Sequence, residues 1–244
     1  MLPGWTKIEI GGKPADLFRP PATPRFGVLF LHPVGQESPA DDAAYTEQFR
    51  KHGLAVVAPW GAQSWWADRI DPAFDPALTV EQHLLRSVVP WMEREWNLGP
   101  RAITAAGISM GGQGAVRLGF KYPDRFPVVA GIASAFDYYE WHGHGTSIDA
   151  MYPTKEKARQ DGAGLHVNPL HFPPHIWFAC DPEDAEWFRG NDRLHEKLRA
   201  LGIPHAVDFE TSRGGHNWDY FDAMAGPMVE FLVAGLEKES RRLV

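Results

Sequence analysis

Short apolar runs recur along this chain, and stretches with helical spacing separate them. Residues 26–31 (FGVLFL), 54–58 (LAVVA), 102–106 (AITAA), 128–134 (VVAGIAS) and 175–180 (HIWFAC) carry almost no polar side chains. A strand covered by helices on both faces has no need to alternate, so these runs predict central parallel strands. Residues 5–10 and 15–18 predict two more strands around a hairpin turn at Gly11-Gly12, and 206–210 predicts a last, more exposed one.

The intervening segments read as helices. Residues 41–52 stop at Gly53, a suitable residue just past a helix end. Residues 79–96 open with Thr79 and Gln82 in capping-box spacing, then place Leu84, Leu85, Val88, Val89, Met92 and Trp96 on one face. Pro90 predicts a kink in that helix. Residues 110–122, 192–201 and 220–239 predict three more helices, the last broken at Gly226-Pro227. Regular alternation of this kind specifies an α/β fold, with a mostly parallel central sheet of about eight strands. The chain then reads as one domain, 1–244. Residues 136–174 depart from the pattern: rich in Pro, Gly and His and without a sustained period, they predict a loop-rich insertion over the sheet's edge, with one short helix near 153–160.

Composition narrows the class. A chain of 244 residues, 44% hydrophobic and 23% charged, has the balance of a globular domain. Its net charge of −7, with basic residues dispersed, argues against a nucleic-acid or anionic-membrane partner. A single cysteine, Cys180, precludes an intrachain disulfide. No stretch approaches the ~20 apolar residues that cross a bilayer, and the first residues lack a secretory pattern. The expected location is cytoplasmic.

The strongest local signal is Gly107-Ile108-Ser109-Met110-Gly111-Gly112, between a predicted strand and a predicted helix. In G-x-S-x-G the serine occupies a sharp strand-to-helix turn, and the flanking glycines let the two elements approach. The next amide, of Met110, falls at the helix N-terminus, where it can stabilise a developing oxyanion. A serine hydroxyl is a weak nucleophile and needs an adjacent base oriented by an acid. On such a turn the acid and then the base follow the serine along the chain. Of the later histidines, His195 lies inside a predicted helix and His205 precedes a strand. His216, in Gly214-Gly215-His216-Asn217-Trp218, lies in the loop before the last helix and is the candidate base. Asp181, Glu183 and Asp184 follow the strand 175–180. Asp181, before Pro182, also reads as a helix N-cap, so Asp184 is the favoured acid and Asp181 the alternative. For a second oxyanion donor the loop His32-Pro33-Val34-Gly35-Gln36 offers Val34, since Pro33 has no N–H, with Gly35 next. His32 reads as a structural residue that fixes this loop.

On LHPVGQ, the Ser64-Trp65-Trp66-Ala67-Asp68 segment, GISMGGQGA, the Asp184 region and GGHNWDYF, the chain resembles the esterase-D-like family of serine carboxylesterases. Those motifs spread over about 26–235. The resemblance implies an α/β-hydrolase fold and hydrolysis of a small-molecule carboxylic ester through an acyl-enzyme. It assigns Ser109, His216 and Asp184 to the triad and the Met110 and Val34 amides to the oxyanion hole. Two departures stand out: many relatives carry His-Gly where this chain has His32-Pro33, and Gly where it has Asp181. A thioesterase or peptidase would use the same triad, and an inactive binding protein on the same fold is the rival from another class.

Other residues divide by context. His142-Gly143-His144 and the trio His166, His171 and His175 lack the spacing of a catalytic zinc site, and no nucleotide-binding glycine pattern occurs, so no metal or cofactor is expected. Cys180 ends a strand and should pack there. Of ten tryptophans, Trp91, Trp96 and Trp177 read as core. Trp60, Trp65, Trp66, Trp141 and Trp218 fall on loops expected to ring Ser109, and Trp65, Trp66, Trp141 and Trp218 are candidate substrate-binding residues. Indole faces there would suit a carbohydrate or phenolic ester, or a merely apolar acyl group.

Overall fold

The computed structural model describes residues 1–242. Eight strands form one sheet in the order β1 (Trp5–Ile10), β2 (Lys13–Phe18), β4 (Ala55–Pro59), β3 (Gly27–Leu31), β5 (Ile103–Ile108), β6 (Val128–Ile132), β7 (His175–Ala179) and β8 (Ala206–Asp208). β1 and β2 make an antiparallel hairpin, and β2 also pairs antiparallel with its neighbour β4. Gly11 and Gly12 both take positive φ, as a two-residue hairpin turn requires. From β3 and β4 through β5, β6, β7 and β8 all pairings are parallel. β3, β4, β5 and β6 are buried along their whole length, which explains their uniformly apolar sequences.

Helices cover both faces. α1 (Ala43–Lys51) is capped by Asp42, whose carboxylate accepts from the Ala44 and Tyr45 amides. α2 (Val80–His83) runs through a π turn at Leu84–Val88 into α3 (Val89–Trp96). The predicted kink at Pro90 is thus taken up as a wider turn just before the ring, where an α-helical carbonyl would collide with it. Thr79 caps α2 through the Gln82 amide, but the Gln82 side chain turns away to Asp68, so the capping box is half formed. α4 (Met110–Lys121) follows β5 directly.

The insertion joins β6 to β7 and contains α5 (Ser147–Met151) and α6 (Lys155–Gln160), the latter at the predicted place, flanked by single 3-10 turns at Tyr138–Trp141 and Ala163–Leu165. α7 (Phe188–Ala200) begins earlier than predicted and admits Gly190, where a side chain would crowd Asp137. α8 (Trp218–Glu239) is continuous through Pro227, contrary to the predicted break. Its buried face, with Met224, Met228, Val229, Leu232 and Leu236, offsets the ~3 kcal/mol that proline costs a helix interior.

Two glycines show how tightly these layers meet. A methyl group on Gly119 of α4 would lie 2.7 Å from Val129, and one on Gly235 of α8 would lie 2.8 Å from Val128. Adjacent strand residues point to opposite faces, so α4 and α8 pack on opposite sides of β6. None of the helices among the described residues is long and apolar enough to cross a membrane. The chain path fixes where a site can form. The chain runs from β3 to β4 on one side and then crosses back past β3 to β5 on the other, and the crevice at this switch point opens at the strands' C-terminal ends.

Candidate active site

Ser109 occupies that crevice, between the end of β5 and the start of α4. Its backbone sits at φ 54° and ψ −115°, a strained combination for a residue with a side chain. Its amide donates to the Ile132 carbonyl at 2.8 Å and its carbonyl accepts from the Ala135 amide at 3.1 Å. The strain is therefore held by β6 and by the turn beyond it. Flanking glycines are required because a methyl group on Gly107 would stand 2.5 Å from the Leu31 carbonyl oxygen, and one on Gly111 would overlap the same carbonyl.

His216 reaches this serine from the loop between β8 and α8. Its Nε2 lies 3.1 Å from Ser109 Oγ and its Nδ1 lies 2.8 Å from Asp184 Oδ2. A carboxylate can only accept here, so Nδ1 carries the proton and Nε2 presents a lone pair to the serine hydroxyl. Asn217 starts α8 immediately afterwards, accepting from the Tyr220 amide, and Phe221 sets its ring edge-on to the imidazole at 5.0 Å. Asp184 is buried, and its other oxygen accepts from the Glu186 and Trp187 amides at 3.0 and 2.9 Å. The Cys180 thiol donates to Oδ2 at 3.6 Å. Burial and the neighbouring Asp184 carboxylate push that thiol's pKa far up, so Cys180 stays protonated and serves as a donor. The structure thus brings Ser109, His216 and Asp184 together.

Asp181 takes a place the sequence did not reveal. It is not a helix N-cap, because α7 begins at Phe188 behind Trp187. Its carboxylate instead accepts from the amides of Glu183 at 2.8 Å, Arg213 at 2.5 Å and Gly215 at 3.0 Å. Burial raises its proton affinity, but these amide bonds outweigh burial and hold the carboxyl below the usual carboxylate range.

The loop after β3 brings Val34 to the same end of the sheet, where Leu31 pairs with Gly107. Neither the Val34 nor the Met110 amide donates to another group among the described residues. His32 is buried, and its Nε2 accepts from the Gly61 amide at 3.0 Å. Its Nδ1 must then carry the proton and donate to the Pro33 carbonyl at 2.7 Å. Burial lowers its pKa to about 4, against the raising effect of the Pro33 bond, so it is a neutral brace for the loop.

Two tryptophans require correction. Trp66 is fully buried, its indole lying under Gly61 and Gly114 while its N–H donates to the His32 carbonyl at 3.1 Å. Trp65 is 1% exposed, stacked on Tyr138 and bonded through its N–H to Ser147 Oγ at 3.0 Å. Neither presents a face to a substrate; both pack under the site because consecutive positive φ values, 53° and 52°, turn them inward. Gln113 of α4 secures that turn by donating to the Trp65 carbonyl. Sequence reading passed over Gln113, whose only signal was a polar residue amid a buried helix face. Trp141 and Trp218 stay partly exposed, Trp141 bonded to Glu186 at 2.8 Å and Trp218 packed on Phe221.

Of the insertion histidines and His175, His142 lies beside the Tyr152 carbonyl, His166 beside Asp161, His171 beside Asp124 and His175 beside Glu239, whereas His195 and His205 meet each other at 2.8 Å. No group of three or more His, Cys, Asp or Glu side chains among the described residues could hold a metal ion.

Comparison with known proteins adds the family context. A family model described as "Putative esterase" matches residues 34–231. Among curated proteins, the diacylglycerol acyltransferase/mycolyltransferase Ag85C of Mycobacterium avium is 23% identical over 78% of this chain and 64% of its own length. An acetyl esterase of Caldicellulosiruptor saccharolyticus is 24% identical over 78% of this chain and 76% of its own. The chain thus spans less than two thirds of the first of these relatives. Among solved structures, the fluorophosphonate-binding serine hydrolase F of Staphylococcus aureus superposes with a TM-score of 0.76 at 16% identity, covering 91% of this chain and 92% of that one. A ferulic acid esterase superposes with a TM-score of 0.74 at 15% identity, over 91% and 93% of the two chains. These superpositions identify the fold as that of the α/β-hydrolases.

Proposed function

The chain belongs to this esterase family, and from that premise we propose that it is a serine hydrolase of small-molecule carboxylic esters. The observation that carries the reading is His216, bonded on one side to Asp184 and on the other to Ser109. In the first half-reaction Ser109 Oγ attacks the ester carbonyl carbon while its proton passes to His216 Nε2. The carbonyl oxygen becomes an oxyanion facing the Met110 and Val34 amides, which are free to donate to it. Collapse of the tetrahedral intermediate breaks the bond to the alcohol oxygen, which takes the proton from His216 and leaves an acyl-Ser109. Water then attacks this acyl-enzyme, giving its proton to His216, and the acid leaves as the proton returns to Ser109. Asp184 keeps the imidazole in the Nδ1–H tautomer and stabilises its charged form. No metal or cofactor enters any step.

The substrate reading is an ester with a carbohydrate or phenolic part, which Trp141 and Trp218 would contact. In its favour are the partial exposure of both indoles and the related acetyl esterase. The insertion 136–174 carries Trp141 and is the part of this single domain that would shape the alcohol or acyl pocket. The test is hydrolysis of 4-nitrophenyl acetate by the native chain and by Ser109→Ala. Full activity in the variant would remove the nucleophile assignment.

A further inference from the structure

A base that moves a proton twice per turnover must be held to a fraction of an ångström, since a misplacement of about 1 Å can cost about a hundredfold in rate. The loop carrying His216 holds itself through two bonds to its carbonyls, from the Asn217 side chain to Arg213 at 3.0 Å and from the Asn217 amide to Gly215 at 3.1 Å, which leave its own amides to be fixed from outside. Gly214 and Gly215 precede the histidine with φ values of 82° and 92°, and neither has a side chain to restrain the backbone. Gly215 also passes close to the Glu183 carbonyl, where a methyl group would stand at 3.0 Å, so a bulkier and stiffer residue has little room there.

Asp181 supplies the restraint on those amides. One oxygen, Oδ2, accepts from the Arg213 amide at 2.5 Å and from the Gly215 amide at 3.0 Å. Those two amides flank Gly214, so a single atom clamps the turn on both sides of a glycine. The other oxygen, Oδ1, accepts from the Glu183 amide at 2.8 Å, which fixes the carboxylate's own orientation. The side chain has no solvent exposure, so water does not compete for these bonds. Three residues further on, Asp184 takes the imidazole of the same loop. The short segment after β7 therefore grips the base twice, its main chain by Asp181 and its ring by Asp184.

We infer that Asp181 is a positioning residue for the base: it fixes the main chain of 213–216 so that His216 Nε2 meets Ser109 Oγ. The inference rests on the proposed triad and adds to it a buried carboxylate that touches neither substrate nor imidazole. It also gives meaning to a departure noted in the sequence, since a glycine at 181 could not accept any of these amides.

The experiment compares Asp181→Ala, Asp181→Asn, Glu183→Ala, Asp184→Asn and Ser109→Ala as full chains, measuring kcat and KM for 4-nitrophenyl acetate. Amide hydrogen exchange of residues 213–217 is followed in each. Asp181→Ala should lower kcat about 10- to 100-fold with KM within about twofold, and should speed exchange at Arg213 and Gly215. Asp181→Asn should recover part of the loss, because its carbonyl oxygen can still accept from the loop while its NH2 group faces the Glu183 amide. Glu183→Ala should change little. Asp181→Ala with native kcat, or with unchanged protection at Arg213 and Gly215, would overturn the inference even while Ser109→Ala and Asp184→Asn are inactive. Full activity in Ser109→Ala would instead overturn the triad beneath it. Should Asp181→Ala not fold, Asp181→Asn decides alone: native kcat and native protection of the loop would overturn the inference, and a partial loss of both would support it.

Discussion

Gly107 lies so close to Leu31 that a single added methyl group would stand 2.5 Å from the Leu31 carbonyl oxygen. This contact ties β5, which ends beside Ser109, to β3, which ends beside the Val34 loop. The expected consequence is that Gly107→Ala and Gly111→Ala each lower stability by about 3 kcal/mol, the upper part of the overpacking range. Denaturant titration would register the loss, and ester hydrolysis should fall with it. By contrast Gly53→Ala, whose added methyl group meets nothing within 4 Å, should cost stability only through its positive φ.

His32 links the fold to pH. Its folded pKa of about 4 lies below the ordinary value of 6.5, so between these values the unfolded chain binds the extra proton. Stability from the neutral, doubly bonded imidazole is therefore fully present above pH 6.5 and is lost as pH falls toward 4. The shift corresponds to a contribution of roughly 3 kcal/mol. Thermal unfolding should show the native midpoint dropping across that window, with a shallower drop in His32→Gln. Equal slopes for the two proteins would contradict this assignment.

How much of this was legible in the sequence follows from how local each signal is. The uniformly apolar runs gave strands within a residue or two, because a strand buried on both faces leaves that mark in its own composition. The elbow was equally plain, since strand, glycines and serine are contiguous. The burial of Trp66 was hidden, because a loop position says nothing of which way a side chain turns. What decides it is a void beside Gly114, which is 48 residues away in the chain. Asp181 was hidden for the same reason: its partners Arg213 and Gly215 lie across the fold. Pro227 misled because helix propensity is local, whereas the packing of α8 on the sheet is not.

The two groups of tryptophans should separate by experiment. Trp66→Ala removes a fully buried side chain and should cost about 3–5 kcal/mol in stability. Trp218→Ala and Trp141→Ala, at partly exposed positions, should change the unfolding midpoint far less. Their effect should fall on KM for bulky phenolic or sugar esters relative to 4-nitrophenyl acetate. A large stability loss in the latter pair, with unchanged KM ratios, would assign all of these indoles to packing.

Arg117 is buried at the far end of α4, where it pairs with Glu81 and Asp161 and donates to the Asp161 carbonyl at 2.9 Å. It thereby joins the start of α2 and the insertion to the helix that begins just after Ser109. Arg117→Met should destabilise the chain by about 3 kcal/mol, because it removes the buried cation that two carboxylates share and leaves Glu81 paired only with the less buried Lys121 and Asp161 only with the half-exposed Arg69 and a histidine. Calorimetry would measure this. A double variant with Glu81→Gln should recover part of the loss.

Everything proposed for this site depends on Ser109 acting as a nucleophile activated by His216. The decisive measurement is labelling with a fluorophosphonate probe, followed by mass mapping of the modified peptide. The native chain should carry the label on Ser109, His216→Ala should react far more slowly, and Ser109→Ala should not react. A folded native chain that remains unlabelled, or one labelled at another residue while Ser109 stays free, would rule out Ser109 as the nucleophile.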